Sequence, residues 1–149
     1  MRQNLPMILI RTVVGLVFLL EGVLKFVQPD TMGVGRFAAI GLPAPNLLAP
    51  LVGGVEIAGG AAILLNFFAG DAAIALLVVI FTALITTKFP IMLGRPLGPF
   101  SLEKLDNYGW LTFFHQARLD LSMIFSLLAI AIDAGVHMGH KRRWYQGGS

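Results

Sequence analysis

The chain has 149 residues, of which 56% are hydrophobic and only 13% are charged, and its formal net charge is +3. Soluble domains carry about 25% charged residues, so this composition excludes a water-soluble globule. The sequence contains no cysteine, which excludes thiol–disulfide chemistry and cysteine-ligated iron–sulfur or zinc sites within this subunit. The small positive charge does not indicate nucleic acid as a partner.

Four apolar segments are long enough to cross a bilayer, whose core of about 30 Å requires about 20 residues per helix. They cover residues 6–27, 47–68, 72–89 and 117–136. Because they account for most of the chain, the sequence predicts an all-α fold, a four-helix transmembrane bundle. It forms one integral membrane domain over residues 1–149, with the lipid bilayer around it. Residues 147–149 are interpreted as a flexible tail or an expression scar.

The first predicted helix carries charged residues and glycines on one face. Glu21 and Lys25 are four residues apart and therefore neighbours on the helix surface. Gly15 and Gly22 share a face with Lys25, since seven residues make nearly two turns. Small residues allow close helix approach in lipid, so we interpret this face mainly as a packing surface against the second helix. Ligand access to the backbone is the alternative.

The second predicted helix contains Glu56 near the middle of an apolar stretch. A carboxylate at the bilayer centre costs about 2.5–3.5 kcal/mol on insertion scales, so it must face protein or water and have a partner. Gly53 and Gly60 share its face, as the glycines do on the first helix. We therefore predict that Glu56 is the catalytic residue of a functional site.

The connection after the third predicted helix is long, covering about residues 90–116, and rich in aromatic residues. Loops beyond about 12–15 residues are usually functional or disordered. The aromatic residues argue against disorder and are typical of a segment lying at the membrane interface. They are Tyr108, Trp110, Phe113 and Phe114. An aromatic belt is the favoured interpretation, and a lid over a site is the alternative.

Charged groups from all four predicted helices fall in the half of the membrane next to this loop. Their formal charges balance, as a low-dielectric interior requires. They are Glu21, Glu56 and Asp120 against Lys25, Lys88 and Arg118. In the opposite half, Arg11 and Asp133 are predicted to pair.

Two explanations of the charged group stay open: a buried ionic network that fixes helix register, or a polar pocket opening beneath the loop. In the second, Glu56 is catalytic and the substrate-binding residues are Glu21, Lys25, Arg118, Asp120 and His115. No metal site is predicted, because no convergent ligands with recognisable spacing occur.

The basic residues near the ends of the chain set the predicted orientation. Four spans put both termini on one side, which carries Arg2 and the basic block at residues 141–143. The positive-inside bias therefore predicts cytoplasmic termini in a bacterial-type inner membrane.

Three stretches of the sequence resemble the DoxX family. The first is a set of positions in the first helix: Arg11, Gly15, Phe18, Glu21, Gly22 and Lys25. The second is the run FAAIGLPAP at residues 37–45, which is similar to that family's first loop. The third is VGGVEIAGG at residues 52–60, which is similar to its second helix, glutamate included. The resemblance implies a four-helix membrane bundle.

The resemblance also implies a link to membrane redox chemistry. Relatives include a subunit of a thiosulfate:quinone oxidoreductase and partners in oxidative-stress complexes, while the wider grouping reaches cargo receptors and receptor-assembly factors. Thiol-dependent relatives are no guide, because this chain lacks cysteine. The fold alone does not settle the activity.

The function expected from these features is that of a redox-system subunit. It would bind a quinone or a small sulfur or oxidant species in the charged pocket and work with a partner oxidoreductase or another subunit, with a homo-oligomer as a further option. No recognisable motif binds another cofactor. The alternative is a non-enzymatic scaffold or assembly factor. A transporter for a small polar solute fits least well, because four short helices carry no internal inverted repeat.

Overall fold

The computed structural model describes the backbone of residues 5–146 and the side chains of residues 5–135. Within this part the chain is helical and contains no β-strand, which confirms the predicted all-α class. The helices are α1 (Leu5–Val27), α2 (Val34–Ile40), α3 (Pro45–Leu64), α4 (Ala69–Ala83), a π-helical segment (Leu84–Lys88), α5 (Phe89–Leu93) and α6 (Trp110–Gln146). Arg2, the predicted tail at 147–149 and the side chains of the basic block at 141–143 lie outside the described residues.

Three stretches of helix in the described part are long and apolar enough to cross a membrane: Leu5–Val27, Pro45–Leu64 and Ala69–Leu93. They correspond to the first three predicted spans, with ends displaced by a few residues. The fourth predicted span, residues 117–136, lies within α6. The turn between the second and third spans falls at residues 65–68, just before the predicted position, and Ala69 already begins α4.

The aromatic segment predicted as part of a long loop is largely helical. Because α6 begins at Trp110, Phe113 and Phe114 stand in its first turns, and only Tyr108 stays in the loop. Phe113 is buried and packs edge-to-face on Phe89, with ring centroids 5.9 Å apart. This contact with the preceding helix accounts for the early start of α6, which local composition did not reveal.

The short helix α2 was not predicted, since it lies inside a connection that was interpreted as a loop. It ends at Gly41, whose positive φ of 90° suits a residue without a side chain. The distant loop residue Ser101 fixes this end. Its backbone N–H donates to the Ile40 carbonyl at 2.8 Å, and its hydroxyl donates to the Ala39 carbonyl at 2.5 Å.

The π-helical segment interrupts the third span just before Pro90. A proline inside a helix lacks the N–H that would bond four residues back, so the ladder must rearrange there. Threonine hydroxyls take up carbonyls in this region: Thr86 donates to the Thr82 carbonyl at 2.9 Å, and Thr87 donates to the Ala83 carbonyl at 2.6 Å. The rearrangement sets the direction of Thr87 and Lys88 at the end of the span.

The packing leaves two kinds of helix face. α1 packs along α3, and α4 packs against both α3 and α6. Side chains between the helices are fully buried, and include Val14, Ile63, Leu76, Leu127 and Ile130. Large apolar side chains on the outer faces are exposed, and include Leu9, Leu20, Val78 and Phe125. Such apolar outer faces suit lipid and would be unfavourable in water.

Candidate functional site

Lys25 and Glu56 form an ion pair between α1 and α3. Lys25 Nζ lies 2.6 Å from Glu56 Oε2, and their side chains are only 11% and 7% exposed. The structure therefore supplies the partner that the position of Glu56 requires. Lys25 does not extend outward to the interface, because its ammonium reaches inward to the second helix.

Glycines bring these two charges together. A Cβ on Gly22 would lie 2.7 Å from the Gly53 carbonyl oxygen, so only glycine allows this closeness of the two backbones. Because α1 and α3 run antiparallel, Lys25, three residues after Gly22, and Glu56, three residues after Gly53, lie on opposite sides of this contact, about one turn from it. The coincidence of glycine and charge positions in the sequence thus reflects one structural unit, in which the close helix contact positions the ion pair.

The ion pair belongs to a larger charged cluster at one end of the structure, which we call the loop end. The loop end is defined by α2 and residues 94–109. Glu21 is exposed and acts electrostatically on both Glu56 and Asp120. Asp120 of α6 is half-buried and lies within electrostatic range of Lys88 of the π-helical segment, Glu21 and Arg36. The cluster near the loop end therefore contains charged side chains from five elements: α1, α2, α3, the π-helical segment and α6.

Arg118 and His115 contact each other on the outside of α6. Arg118 Nη1 donates to the His115 carbonyl at 2.8 Å and lies 2.9–3.0 Å from the two ring nitrogens. Both side chains are exposed. Arg118 and Asp120 are two residues apart and therefore about 200° apart around the helix, so they cannot face the same site. The predicted site residues thus divide into an inner set, which includes Glu56, and an outer pair.

Two residues of the cluster were not among the predicted site residues. Lys88 was counted in the charge balance but not among the site residues, and Arg36 lay in a connection with no predicted structure. The signal for Lys88 was present in the sequence, because Pro90 two residues later disturbs the helix and re-aims the side chains before it. No signal in the sequence indicated Arg36, since its place follows from α2.

The opposite end of α1 carries the second ion pair, as predicted. Arg11 Nη2 donates to Asp133 Oδ2 of α6 at 2.8 Å, and Arg11 is buried. This pair ties α1 to α6, whereas the Lys25–Glu56 pair ties α1 to α3.

Apolar spans that enclose an ion pair define this chain as a helical membrane protein. The model of the DoxX family matches residues 7–88, which include Glu21, Lys25 and Glu56 but not the predicted site residues of α6. An uncharacterized membrane protein of Mycobacterium tuberculosis is 42% identical over 121 residues, which cover 81% of this chain and 70% of that protein. The chain belongs to the DoxX family, as the resemblance indicated. No solved structure matches it.

Proposed function

We propose that this protein is an integral membrane subunit of a redox system that binds a quinone, or a small sulfur or oxidant species, at the Lys25–Glu56 pair. The observation that carries this proposal is the burial of two opposite charges between two candidate membrane spans. Charged groups within membrane spans are expensive, and they commonly mark ligand or proton pathways. A partner oxidoreductase supplies the electrons.

The chemistry of the pair suits a quinone headgroup. A quinone that becomes a quinol takes up two electrons and two protons. The ammonium of Lys25 can donate a hydrogen bond to a ring oxygen, while the Glu56 carboxyl group exchanges a proton with it. The exposed carboxylate of Glu21, four residues before Lys25 on α1, is the proposed group through which protons reach Glu56. A small anionic substrate would use the same ammonium as its counter-ion.

The proposal includes a fourth membrane span and an orientation of the bundle in the membrane. The helix α6 forms the fourth span, because it packs against α4 and α1 and its Asp133 pairs with Arg11 inside the structure. The four-helix bundle then lies in a bacterial-type inner membrane with both termini in the cytoplasm, where the basic residues at the two ends of the chain favour that side.

Mass spectrometry of small molecules carried by the purified protein tests this function. The variants are Glu56→Gln, which removes the charge with little change of shape, and Asp71→Asn as the control. Asp71 is an exposed carboxylate in the first turn of α4, at the far end from the pair. We expect a quinone or defined polar ligand in the wild type and the control and its loss in Glu56→Gln. Equal amounts in all three proteins would contradict the proposal.

A second function is favoured by one specific feature of the pair. Its two charges neutralise each other on either side of a tight glycine contact, as in an element that only fixes helix register. Under this alternative the protein is a scaffold or assembly factor that docks a partner at the loop end. Exchanging the charges in Lys25→Glu with Glu56→Lys distinguishes the two. A scaffold keeps its partner in the double variant, whereas a ligand site with reversed polarity loses its ligand.

A further inference from the structure

An open cleft of ≈ 270 Å³ lies at the loop end, apart from the Lys25–Glu56 pair. Its walls come from three elements: Arg36 and Ile40 of α2, Thr87 of the π-helical segment, and the loop residues Ser101, Leu102 and Glu103. Ligand pockets for drug-sized molecules measure about 300–1,000 Å³, so this cleft suits a smaller group. Because the three candidate spans all have an end here, the cleft lies at the border between lipid and water.

The wall of the cleft is held in place by hydrogen bonds. Ser101 is fixed to the end of α2 through the Ala39 and Ile40 carbonyls. The hydroxyl of Tyr108 accepts from the Leu105 N–H at 3.1 Å and donates to the Glu103 carbonyl at 3.0 Å. Ser101 therefore holds this loop against α2, and the Tyr108 bonds brace the part of the loop that carries Glu103.

The polar groups of the cleft are mostly hydrogen-bond acceptors. The hydroxyl hydrogens of Thr87 and Ser101 are used in bonds to backbone carbonyls, so each oxygen offers only lone pairs. The Glu103 carboxylate is a third acceptor. Arg36 supplies the donors and the positive charge, and neither it nor Glu103 forms a salt bridge with another residue whose side chain the structure describes. A ligand that matches this wall carries an anion for Arg36 and several N–H donors for the remaining groups.

We propose that this cleft binds the phosphoethanolamine headgroup of a membrane lipid. The phosphate pairs with Arg36, and the primary ammonium, with three N–H donors, reaches Glu103 and the two hydroxyl oxygens. Ile40 and Leu102 contact the glycerol and the first carbons of the acyl chains. A choline headgroup has the same charges but no N–H group, so the acceptors of the cleft discriminate against it.

Native mass spectrometry of the full chain in detergent tests the proposal with the wild type alone. The protein is given equal amounts of phosphatidylethanolamine and phosphatidylcholine with identical acyl chains. We expect phosphatidylethanolamine to be retained about two- to tenfold more, the effect of about one net hydrogen bond. Equal retention of the two lipids would overturn the proposal.

Two neighbouring variants locate the preference. Glu103→Gln removes the carboxylate from the cleft, and Lys104→Gln removes the charge of the next residue, which is also exposed but does not line the cleft. We expect the first to weaken the preference for phosphatidylethanolamine, because it removes the charged acceptor, and the second to keep it. The same loss or the same retention in both variants would place the lipid elsewhere and overturn the assignment.

Soluble phosphoethanolamine distinguishes a lipid from a free metabolite as the source of the headgroup. It carries the same phosphate and ammonium without acyl chains. We expect it to displace the bound lipid only in large excess, because the contacts with Ile40 and Leu102 are then missing. Displacement at equal concentration would overturn the lipid as the ligand. None of these measurements depends on redox turnover, so they stand apart from the proposed function.

Discussion

Arg11 and Lys25, fourteen residues apart on α1, each form an ion pair with a different helix. Arg11 pairs with Asp133 of α6 at 2.8 Å, and Lys25 pairs with Glu56 of α3 at 2.6 Å. At about 1.5 Å per residue, the two charged positions of α1 are about 21 Å apart along its axis. The first helix is thus fixed near both ends, and each pair can be altered without touching the other.

Removing one partner of the Lys25–Glu56 pair should destabilise the protein. We expect Glu56→Ala to lower the free energy of unfolding by about 3–5 kcal/mol, because it leaves a buried ammonium without a counter-charge. The double variant Lys25→Met with Glu56→Met should restore stability, since apolar side chains of similar size often replace a buried pair at no loss. Thermal unfolding in detergent measures both effects. A double variant as unstable as the single one would show that the pair itself holds α1 to α3.

The Arg11–Asp133 pair should be weakened more by loss of its acidic partner than by loss of its basic one. Asp133 is more exposed than Arg11, with side-chain exposures of 24% and 9%. We expect Arg11→Met to leave the carboxylate partly hydrated, and Asp133→Asn to leave a buried guanidinium short of a partner. Asp133→Asn should therefore lower the unfolding temperature more than Arg11→Met does, and the reverse order would contradict this assignment of burial.

Gly22 of α1 and Gly54 of α3, each within three residues of the Lys25–Glu56 pair, provide a matched test of close packing. In Gly22→Ala the new Cβ would lie 2.7 Å from the Gly53 carbonyl, whereas in Gly54→Ala it meets nothing within 4 Å. We expect Gly22→Ala to cost about 1–3 kcal/mol through overpacking, and Gly54→Ala to be near neutral. Because the chain has no cysteine, one cysteine can be introduced on α1 and one on α3, and disulfide formation between them then shows whether the two helices stay close. Equal effects of the two substitutions would argue against the glycine contact.

The exposed pair on α6 should be dispensable for the inner cluster. We expect His115→Gln and Arg118→Gln to change the free energy of unfolding by no more than about 0.5 kcal/mol, since both side chains lie on the surface. Ligand retained at Lys25 and Glu56 should also be unchanged. Loss of that ligand in Arg118→Gln would show that Arg118 belongs to the ligand site, as predicted from the sequence.

These contrasts show which features can be derived from the sequence. Hydropathy predicts the three apolar spans. The high cost of a charge in lipid predicts the Arg11–Asp133 pair and the need of Glu56, inside an apolar span, for a partner. Arg118 was assigned to the site because it lies at the same membrane depth as Asp120. The two residues are two positions apart on a helix and therefore point in nearly opposite directions, which the sequence alone could have shown. The early start of α6 and the position of Arg36 depend on distant contacts, such as Phe113 with Phe89 and Ser101 with α2, and no local pattern records them.

The pairing of Lys25 with Glu56 also has a consequence for how the chain enters the bilayer. During synthesis α1 emerges first and leaves an ammonium near the end of its span, and α3 follows with a carboxylate far from water. An isolated α3 carries an insertion penalty of about 2.5–3.5 kcal/mol for that carboxylate. When α1 is already in place, its ammonium and its glycine face are ready to receive α3. The two helices are therefore expected to enter the membrane as one hairpin, and a chain that lacks α1 should leave α3 poorly inserted and open to degradation.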